Sequence, residues 1–251
     1  MLNLKKEFEN NGYIIIKNFI SSNNFIEISN KLNKDIESTL THIKLKKFGG
    51  YQIGNINVNP GKYGRIIWNI LIKNKLDNLV EKILDKKIKD YFIQPAGNLS
   101  LPKKGNQNFH TDGKFNSSMY LISVATSNID ENCGPTEIVK NSHTKNIPYW
   151  KFLLNKKKIE KILLKEGDLI IRKHSLWHRG TKNNSNNYRF LLTYLLFDKG
   201  KTLNCDQFNN DEHIKLYDNF FSGTIQGRLK EFIYVKLNFI FIIYKFIRSF
   251  F

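Results

Sequence analysis

The sequence has only two cysteines, Cys133 and Cys205, among its 251 residues. Two thiols cannot build the disulfide framework that stabilises small secreted domains, so a reducing compartment is expected. Residues 1–8 also lack the apolar core of a signal peptide. Both absences predict a cytoplasmic protein.

Long apolar runs are missing as well. The uncharged residues 237–244 are far fewer than the roughly 20 apolar residues that a membrane-spanning helix needs. They lie within residues 227–251, where large apolar side chains recur on one helical face, namely Phe232, Ile233, Ile240, Ile243, Ile247 and Phe250. We therefore expect a domain over residues 1–226, followed by a basic, aromatic-rich amphipathic helix over residues 227–251. That helix could pack on the domain or on a second subunit, or lie on an anionic membrane surface.

Acidic residues are scarce: 22 Asp and Glu stand against 40 Lys and Arg, a formal net charge of +18. Such a balance can indicate nucleic-acid or membrane binding. However, the basic residues are scattered, and Lys, Asn and Ile are frequent everywhere, as a compositional bias would produce. No nucleic-acid partner is expected. The sequence leaves the oligomeric state open.

Repeated strand–helix alternation, which would predict a parallel sheet, is absent too. Helices are indicated near residues 4–12, 23–40 and 66–85, and a first strand near 13–20. From residue 89 onward, short apolar runs alternate with Gly, Asn and Pro breaks, which is typical of an antiparallel sandwich or jelly roll. The candidate strands lie near residues 89–94, 107–112, 118–126, 136–139, 167–173, 176–180 and 188–198. A helix or loop is expected around residues 147–165.

The residues present that carry chemistry begin with His110 and Asp112. On a strand, residues two apart point to the same face, so both side chains can reach one point. An imidazole and a carboxylate are two of the three ligands of a facial Fe(II) site, and His178, at the far end of a later strand, is the natural third ligand. Arg189 follows eleven residues later; inside a barrel, its guanidinium requires a carboxylate partner.

Other histidines and a threonine admit more than one interpretation. His174 and His178 are four residues apart, which on a helix would suggest zinc, but their surroundings indicate strand and turn. His174 is expected beside the site, and His143 either lines the site or fixes a loop. Thr193 lies four residues after Arg189 on the same strand face, so it is a candidate contact for a cosubstrate. Gln107 is expected on the opposite face from His110.

These motifs, in this order, resemble those of the phytanoyl-CoA dioxygenase family of Fe(II)/2-oxoglutarate oxygenases, over residues 8 to about 198. The resemblance implies a double-stranded β-helix, a cupin-like jelly roll with flanking helices. It implies that His110, Asp112 and His178 bind iron and that Arg189 grips the far carboxylate of 2-oxoglutarate. The loop from Gly134-Pro135 to Ser142-His143 matches another motif of the family.

The resemblance further implies that 2-oxoglutarate and dioxygen are cosubstrates, and that a small or medium organic molecule is hydroxylated with release of succinate and CO2. Halogenating relatives lack the carboxylate that Asp112 supplies, so its presence favours hydroxylation. The alternative is a non-catalytic jelly-roll binding module that associates with a membrane surface through its C-terminal helix.

Overall fold

The computed structural model describes residues 2–199 and 212–249. Cys205 and Phe250 lie outside the described residues. The helices in this part of the chain are α1 (Leu2–Asn11), α2 (Asn23–His42), α3 (Lys62–Lys73), α4 (Leu76–Leu84), α5 (Tyr149–Leu154), α6 (Ile225–Lys236) and α7 (Asn238–Arg248). The strands are β1 (Tyr13–Ile16), β2 (Asn55–Asn59), β3 (Tyr91–Ser100), β4 (Met119–Ala125), β5 (Thr136–Val139), β6 (Ile159–Ile162), β7 (Leu169–Lys173), β8 (His178–Gly180), β9 (Arg189–Asp198) and β10 (Lys215–Tyr217).

Two antiparallel sheets face each other. The larger has seven strands in the order β1-β7-β4-β9-β3-β2-β10, and the smaller has three in the order β6-β5-β8. An isolated bridge between His110 and His178 adds a short fourth segment to the smaller sheet. Two packed antiparallel sheets with helices outside them confirm the predicted jelly-roll architecture.

Strand β9 shows how the sheet separates core from cavity. Its alternate residues Phe190, Leu192, Tyr194 and Leu196 belong to the main hydrophobic core. The residues between them, from Arg189 to Phe197, line a cavity between the two sheets. This alternation follows from the two-residue period of a strand. As a result, one face of the larger sheet packs in the hydrophobic core and the other lines the cavity.

Helices α2, α3 and α4 cover the core face of the larger sheet. Phe25 and Leu32 of α2, Leu71 of α3 and Val80 of α4 are fully buried in the same core. The N-terminus of α2 is capped by the hydroxyl of Ser22, which accepts a hydrogen bond from the Phe25 N–H at 3.3 Å. The helices thus support the sheet from behind and leave its other face free.

Several elements differ from the predictions. The helix expected over residues 66–85 is two helices, because Lys75 adopts a left-handed conformation with φ of 64° between them. The strand expected over residues 107–112 contains only the bridge at His110. Strands β6 and β10 were not predicted; each has only three or four residues, too few for a clear alternating pattern.

The C-terminal segment forms two helices where one was expected, with a break at Leu237 (φ −120°, ψ 43°). The turn lets α7 pack back toward α5, where the Trp150 N–H donates to the Ser249 hydroxyl at 3.0 Å. Within the described ranges, none of the helices has both the length and the apolar character needed to cross a bilayer.

Candidate metal centre

Three side chains with metal-ligand chemistry meet at one end of the cavity. One ligand atom from each of His110, Asp112 and His178 lies within 4.8 Å of the others. Asp112 Oδ1 is 3.4 Å from His178 Nε2 and 3.8 Å from His110 Nε2. A metal bound at about 2 Å from each ligand requires ligand separations of roughly 3 Å, so small side-chain movements would close the site. Two imidazoles and one carboxylate form the facial set that suits Fe(II).

The backbone holds His110 beside His178. Their N–H and C=O groups exchange two hydrogen bonds of 3.0 Å, and the Asp112 N–H donates to the His174 carbonyl at 3.0 Å. The chain here is therefore extended and paired, although it forms no regular strand. This pairing brings together two segments 68 positions apart in sequence.

Both histidines are oriented for metal binding. The Nδ1 of His110 is 2.9 Å from the Asn108 carbonyl, and the Nδ1 of His178 is 2.9 Å from the Leu176 carbonyl. A carbonyl can only accept, so each Nδ1 carries the proton and each Nε2 presents a lone pair. Such backbone contacts fix the tautomer that binds metal.

The charge states also suit a cation. Burial, and then the neighbouring His178, lower the pKa of His110 from 6.5 to about 3, so its ring is neutral. Burial alone would raise the pKa of Asp112, but Arg172 and the two histidines hold it well below its usual value of 3.8. The Asp112 side chain still keeps 26% of its surface exposed. Neutral imidazoles and an ionised carboxylate are the forms that bind metal.

Arg189 lies in the same cavity, whose volume is 820 Å³. Its side chain is almost fully buried; one terminal nitrogen donates to the Gly134 carbonyl at 2.8 Å, and its Nε has no partner. No carboxylate pairs with it in the part of the chain that the structure describes. Burial lowers its pKa to about 10, so it remains a cation at neutral pH. A buried guanidinium without a counter-ion is costly, and a dicarboxylate cosubstrate would supply the missing anion.

Thr193 and Gln107 also line this cavity. The hydroxyl of Thr193 is 2.8 Å from that of Ser123, so it is already hydrogen-bonded, and its contact with a cosubstrate stays a prediction. Gln107 was expected to point away from His110. It faces the cavity because the segment is irregular, and its side-chain oxygen accepts from the Gly180 N–H at 2.7 Å.

The other two candidate histidines are outside the cluster. His174 Nδ1 is 2.8 Å from the Met119 carbonyl, and its Nε2 is 2.8 Å from the Ser117 hydroxyl, so it fixes the loop before β4. His143 Nε2 is 2.9 Å from the Glu9 carbonyl, so it ties its loop to α1. Neither ring lines the cavity.

Two residues at the site were not identified from the sequence. Arg172 donates from a terminal nitrogen to Asp112 Oδ2 at 2.6 Å. It occupies the cavity-facing position two residues after Ile170 in β7, so strand alternation could have drawn attention to it. Phe220 packs edge-on against the His110 ring with centroids 4.8 Å apart, and its φ is +56°. No pattern in the sequence indicates that placement.

Comparison with known proteins identifies the family of the chain. The model of the phytanoyl-CoA dioxygenase (PhyH) family matches residues 8–191. The chain belongs to this family. It is an iron- and 2-oxoglutarate-dependent oxygenase, and the non-catalytic alternative is not retained. No curated protein sequence matches the chain.

Similar solved structures show the same fold at low sequence identity. The alpha-ketoglutarate-dependent carbocyclase SnoK from nogalamycin biosynthesis is 11% identical with a TM-score of 0.60, over 85% of this chain and 95% of SnoK. EctD from S. alaskensis with bound Fe is 16% identical with a TM-score of 0.61, over 86% of this chain and 85% of EctD. AviO1 from Streptomyces viridochromogenes Tue57 is 14% identical with a TM-score of 0.59, over 80% of this chain and 96% of AviO1.

Proposed function

We propose that this PhyH-family oxygenase hydroxylates an unactivated C–H bond of a small or medium organic substrate. In the balanced reaction, substrate, 2-oxoglutarate and O2 give the hydroxylated product, succinate and CO2. One observation carries the proposal: a single cavity holds both the His110–Asp112–His178 cluster and the buried Arg189, which pairs with no carboxylate in residues 2–199 and 212–249. These are the groups needed to hold iron and a dicarboxylate side by side.

The residues divide the work between them. His110 Nε2, His178 Nε2 and Asp112 Oδ1 would hold Fe(II), leaving three adjacent coordination positions for cosubstrate and dioxygen. Arg189 would bind the far carboxylate of 2-oxoglutarate, with the Thr193 hydroxyl nearby on the same strand face. When bound, the iron and 2-oxoglutarate supply the oxidising chemistry, while the protein orients the substrate. The carboxylate of Asp112 would take the position that halogenating relatives leave for chloride, which favours hydroxylation.

The cavity wall is partly apolar, and Arg189 within it is almost fully buried. Apolar side chains of both sheets, among them Ile138 and Leu191, line the space around Arg189, and Phe220 covers His110 from the side. Excluding water strengthens the ion pair that Arg189 would form with a bound carboxylate. It also limits side reactions of an activated oxidant.

Substitution of the ligands tests the proposal. Purified protein with Fe(II), ascorbate and 2-oxoglutarate should release succinate, and more of it when a substrate is added. His110→Ala and Asp112→Ala should each abolish stoichiometric Fe(II) binding, measured after removal of free metal. Unchanged iron binding in both variants would overturn the assignment of the ligands.

Arg189→Ala serves as the complementary variant. The variant should bind iron as the unchanged protein does, but its affinity for 2-oxoglutarate should fall about 10- to 100-fold, because a charge-assisted bidentate pair contributes about 1.5–3 kcal/mol. Loss of iron binding in this variant, with 2-oxoglutarate affinity intact, would contradict the division of roles.

We also propose a cytoplasmic location with peripheral membrane contact through residues 227–251. Support for the location comes from the chemistry, since a reducing compartment keeps iron ferrous. Support for the contact comes from α7, which buries none of its residues although it is rich in large apolar side chains.

A further inference from the structure

Helix α7 presents an apolar face to solvent. Five large side chains on it are between 44% and 63% exposed, namely Phe239, Ile240, Ile243, Tyr244 and Ile247. Their spacing places all five within about 140° of the helix circumference. An isolated exposed apolar residue is ordinary, but a continuous apolar face marks an interaction site.

Helix α6 also exposes apolar side chains. Ile225, Leu229 and Phe232 are exposed, and their spacing places them on one face. The opposite face carries Gly227, Glu231 and Tyr234, which are buried. Of the 18 large hydrophobic side chains that are exposed in the described ranges, ten lie between residues 225 and 247. The apolar surface is therefore concentrated on this helix pair.

The helix pair is anchored to the domain by polar contacts on its inner side. Glu231 accepts hydrogen bonds from the backbone N–H groups of Gln52 and Ile53 at 2.8 and 3.0 Å. The Asn108 N–H donates to the Tyr234 hydroxyl, and the side chains of Asn108 and Asn238 are also hydrogen-bonded. The inner side of the helix pair is engaged by the domain, whereas the outward apolar face is left uncovered by the residues that the structure describes.

The charges around the apolar face decide which occupant fits. Five basic side chains lie on the two helices, namely Arg228, Lys230, Lys236, Lys245 and Arg248. Glu231 is the sole acidic residue of the pair, and it is buried. A second copy would bring another formal charge of +18 against the same basic surface, whereas an anionic lipid surface is complementary to it.

We infer that α6 and α7 form a docking surface for an anionic lipid bilayer. The apolar face of α7 lies among the acyl chains near the headgroups, and Arg228, Lys236 and Arg248, which helical spacing places on or beside the exposed apolar faces, contact the lipid phosphates and carboxylates. A basic helix with an aromatic and aliphatic face is suited to this interfacial position. The inference rests on the membrane contact proposed above and names its lipid chemistry and its residues. It is independent of the metal centre.

Vesicle sedimentation with the full chain tests the inference. Phosphatidylcholine vesicles containing phosphatidylserine should bind the protein at least tenfold more strongly than pure phosphatidylcholine vesicles, since each basic residue near an anionic surface contributes roughly a factor of five. Replacing both Lys236 and Arg248 by Gln should weaken binding to the anionic vesicles by about 30-fold on the same basis. Equal binding to both vesicle types, or binding to neither, would overturn the inference.

A matched pair of variants tests whether vesicle binding requires the apolar face of α7 or depends on any exposed apolar side chain. Ile240 on α7 and Ile159 on β6 are 44% and 45% exposed. Ile240→Glu should lower vesicle binding by at least tenfold because a charge enters the apolar interface, and Ile159→Glu should leave it unchanged. An equal loss in both variants, or a stable dimer that Ile240→Glu dissociates and that binds no vesicles, would contradict a lipid partner.

Measuring iron binding by the same protein samples distinguishes a failure of the docking surface from a failure of the metal centre. If iron binds but anionic vesicles do not, the docking surface is wrong and the metal centre stands. If vesicles bind but iron does not, the reverse holds.

Discussion

The two oxygens of Asp112 have different partners, and this difference bears on how the metal is held. Oδ1 faces the Nε2 atoms of His110 and His178, whereas Oδ2 accepts a 2.6 Å hydrogen bond from Arg172. A charge-assisted contact of this length occupies Oδ2 firmly. Asp112 can then offer the metal one oxygen instead of two, which keeps a coordination position open for the cosubstrates.

Arg172→Gln should release Oδ2 and let Asp112 chelate the metal with both oxygens. Removal of a nearby positive charge also favours a cation, so Mn(II) affinity should stay the same or rise. Turnover should nevertheless fall about 10- to 100-fold, the usual effect of losing a group that orients a metal ligand. Mn(II) titration and succinate release on the same samples measure the two effects.

Two further variants make this result specific. Arg172→Lys keeps a cationic donor and should restore part of the activity. Arg179→Gln removes an equal charge by breaking the 2.7 Å contact of Arg179 with Glu137, which is not a ligand, and should change neither quantity. A parallel loss of Mn(II) affinity and turnover in Arg172→Gln would show that Arg172 merely holds the site together.

At the scale of elements, Glu231 of α6 joins the C-terminal helices to the loop before β2. It is 1% exposed and accepts hydrogen bonds from the backbone N–H groups of Gln52 and Ile53. A buried carboxylate that loses its hydrogen-bond donors destabilises the fold, and so do buried N–H groups that lose their carboxylate acceptor. This contact therefore contributes to the placement of α6 against the domain.

Glu231→Ala should lower the free energy of unfolding by about 2–4 kcal/mol, because two buried N–H groups lose a charged acceptor. Glu231→Gln keeps one acceptor oxygen and should lose roughly half as much. Urea denaturation followed by circular dichroism measures both changes. A loss below 0.5 kcal/mol in Glu231→Ala, a value typical of exposed positions, would contradict the anchoring role.

The elements also show what sequence patterns can and cannot supply. Strand β9 was predictable because it is a long, mostly apolar run of ten residues bounded by breaks. The proximity of His110, Asp112 and His178 was predictable from their side-chain chemistry. The regular strand expected to carry His110 and Asp112, however, is only a bridge. Phe220 and the break at Leu237 were missed because each depends on packing between distant segments, which no local pattern records. The alternation of β7, in contrast, could have identified Arg172 as a cavity-facing residue.

At the scale of the whole molecule, most of the charge is on the surface while the chemistry depends on a few groups inside. The formal net charge of +18 raises the self-repulsion of the folded state, and the buried Arg189 adds a cation that has no carboxylate partner among the described residues. Within the metal cluster, burial and then the neighbouring His178 lower the pKa of His110, so this imidazole stays neutral at neutral pH. The stability of the fold should therefore depend on pH through the metal-free cluster.

The direction in which stability changes with pH follows from His110. In the folded chain, burial and then His178 lower its pKa to about 3, whereas the unfolded chain has the usual value of 6.5. Between these values the unfolded chain binds a proton that the folded chain does not, so stability falls as pH falls. The slope from this residue is at most about 1.4 kcal/mol per pH unit. Asp112, whose folded pKa lies well below 3.8, adds a further loss only below that value.

Chemical denaturation of the metal-free protein in EDTA, at intervals from about pH 7 to pH 4, should therefore show decreasing stability toward acid pH. His110→Gln keeps a side chain of similar size but cannot titrate, so it should flatten the slope over this interval. The Asp112 contribution should persist in that variant at lower pH, since its carboxylate still faces Arg172 and His178. An unchanged slope in His110→Gln would mean that other groups carry the acid sensitivity, and that the ring of His110 is free to protonate in the folded chain.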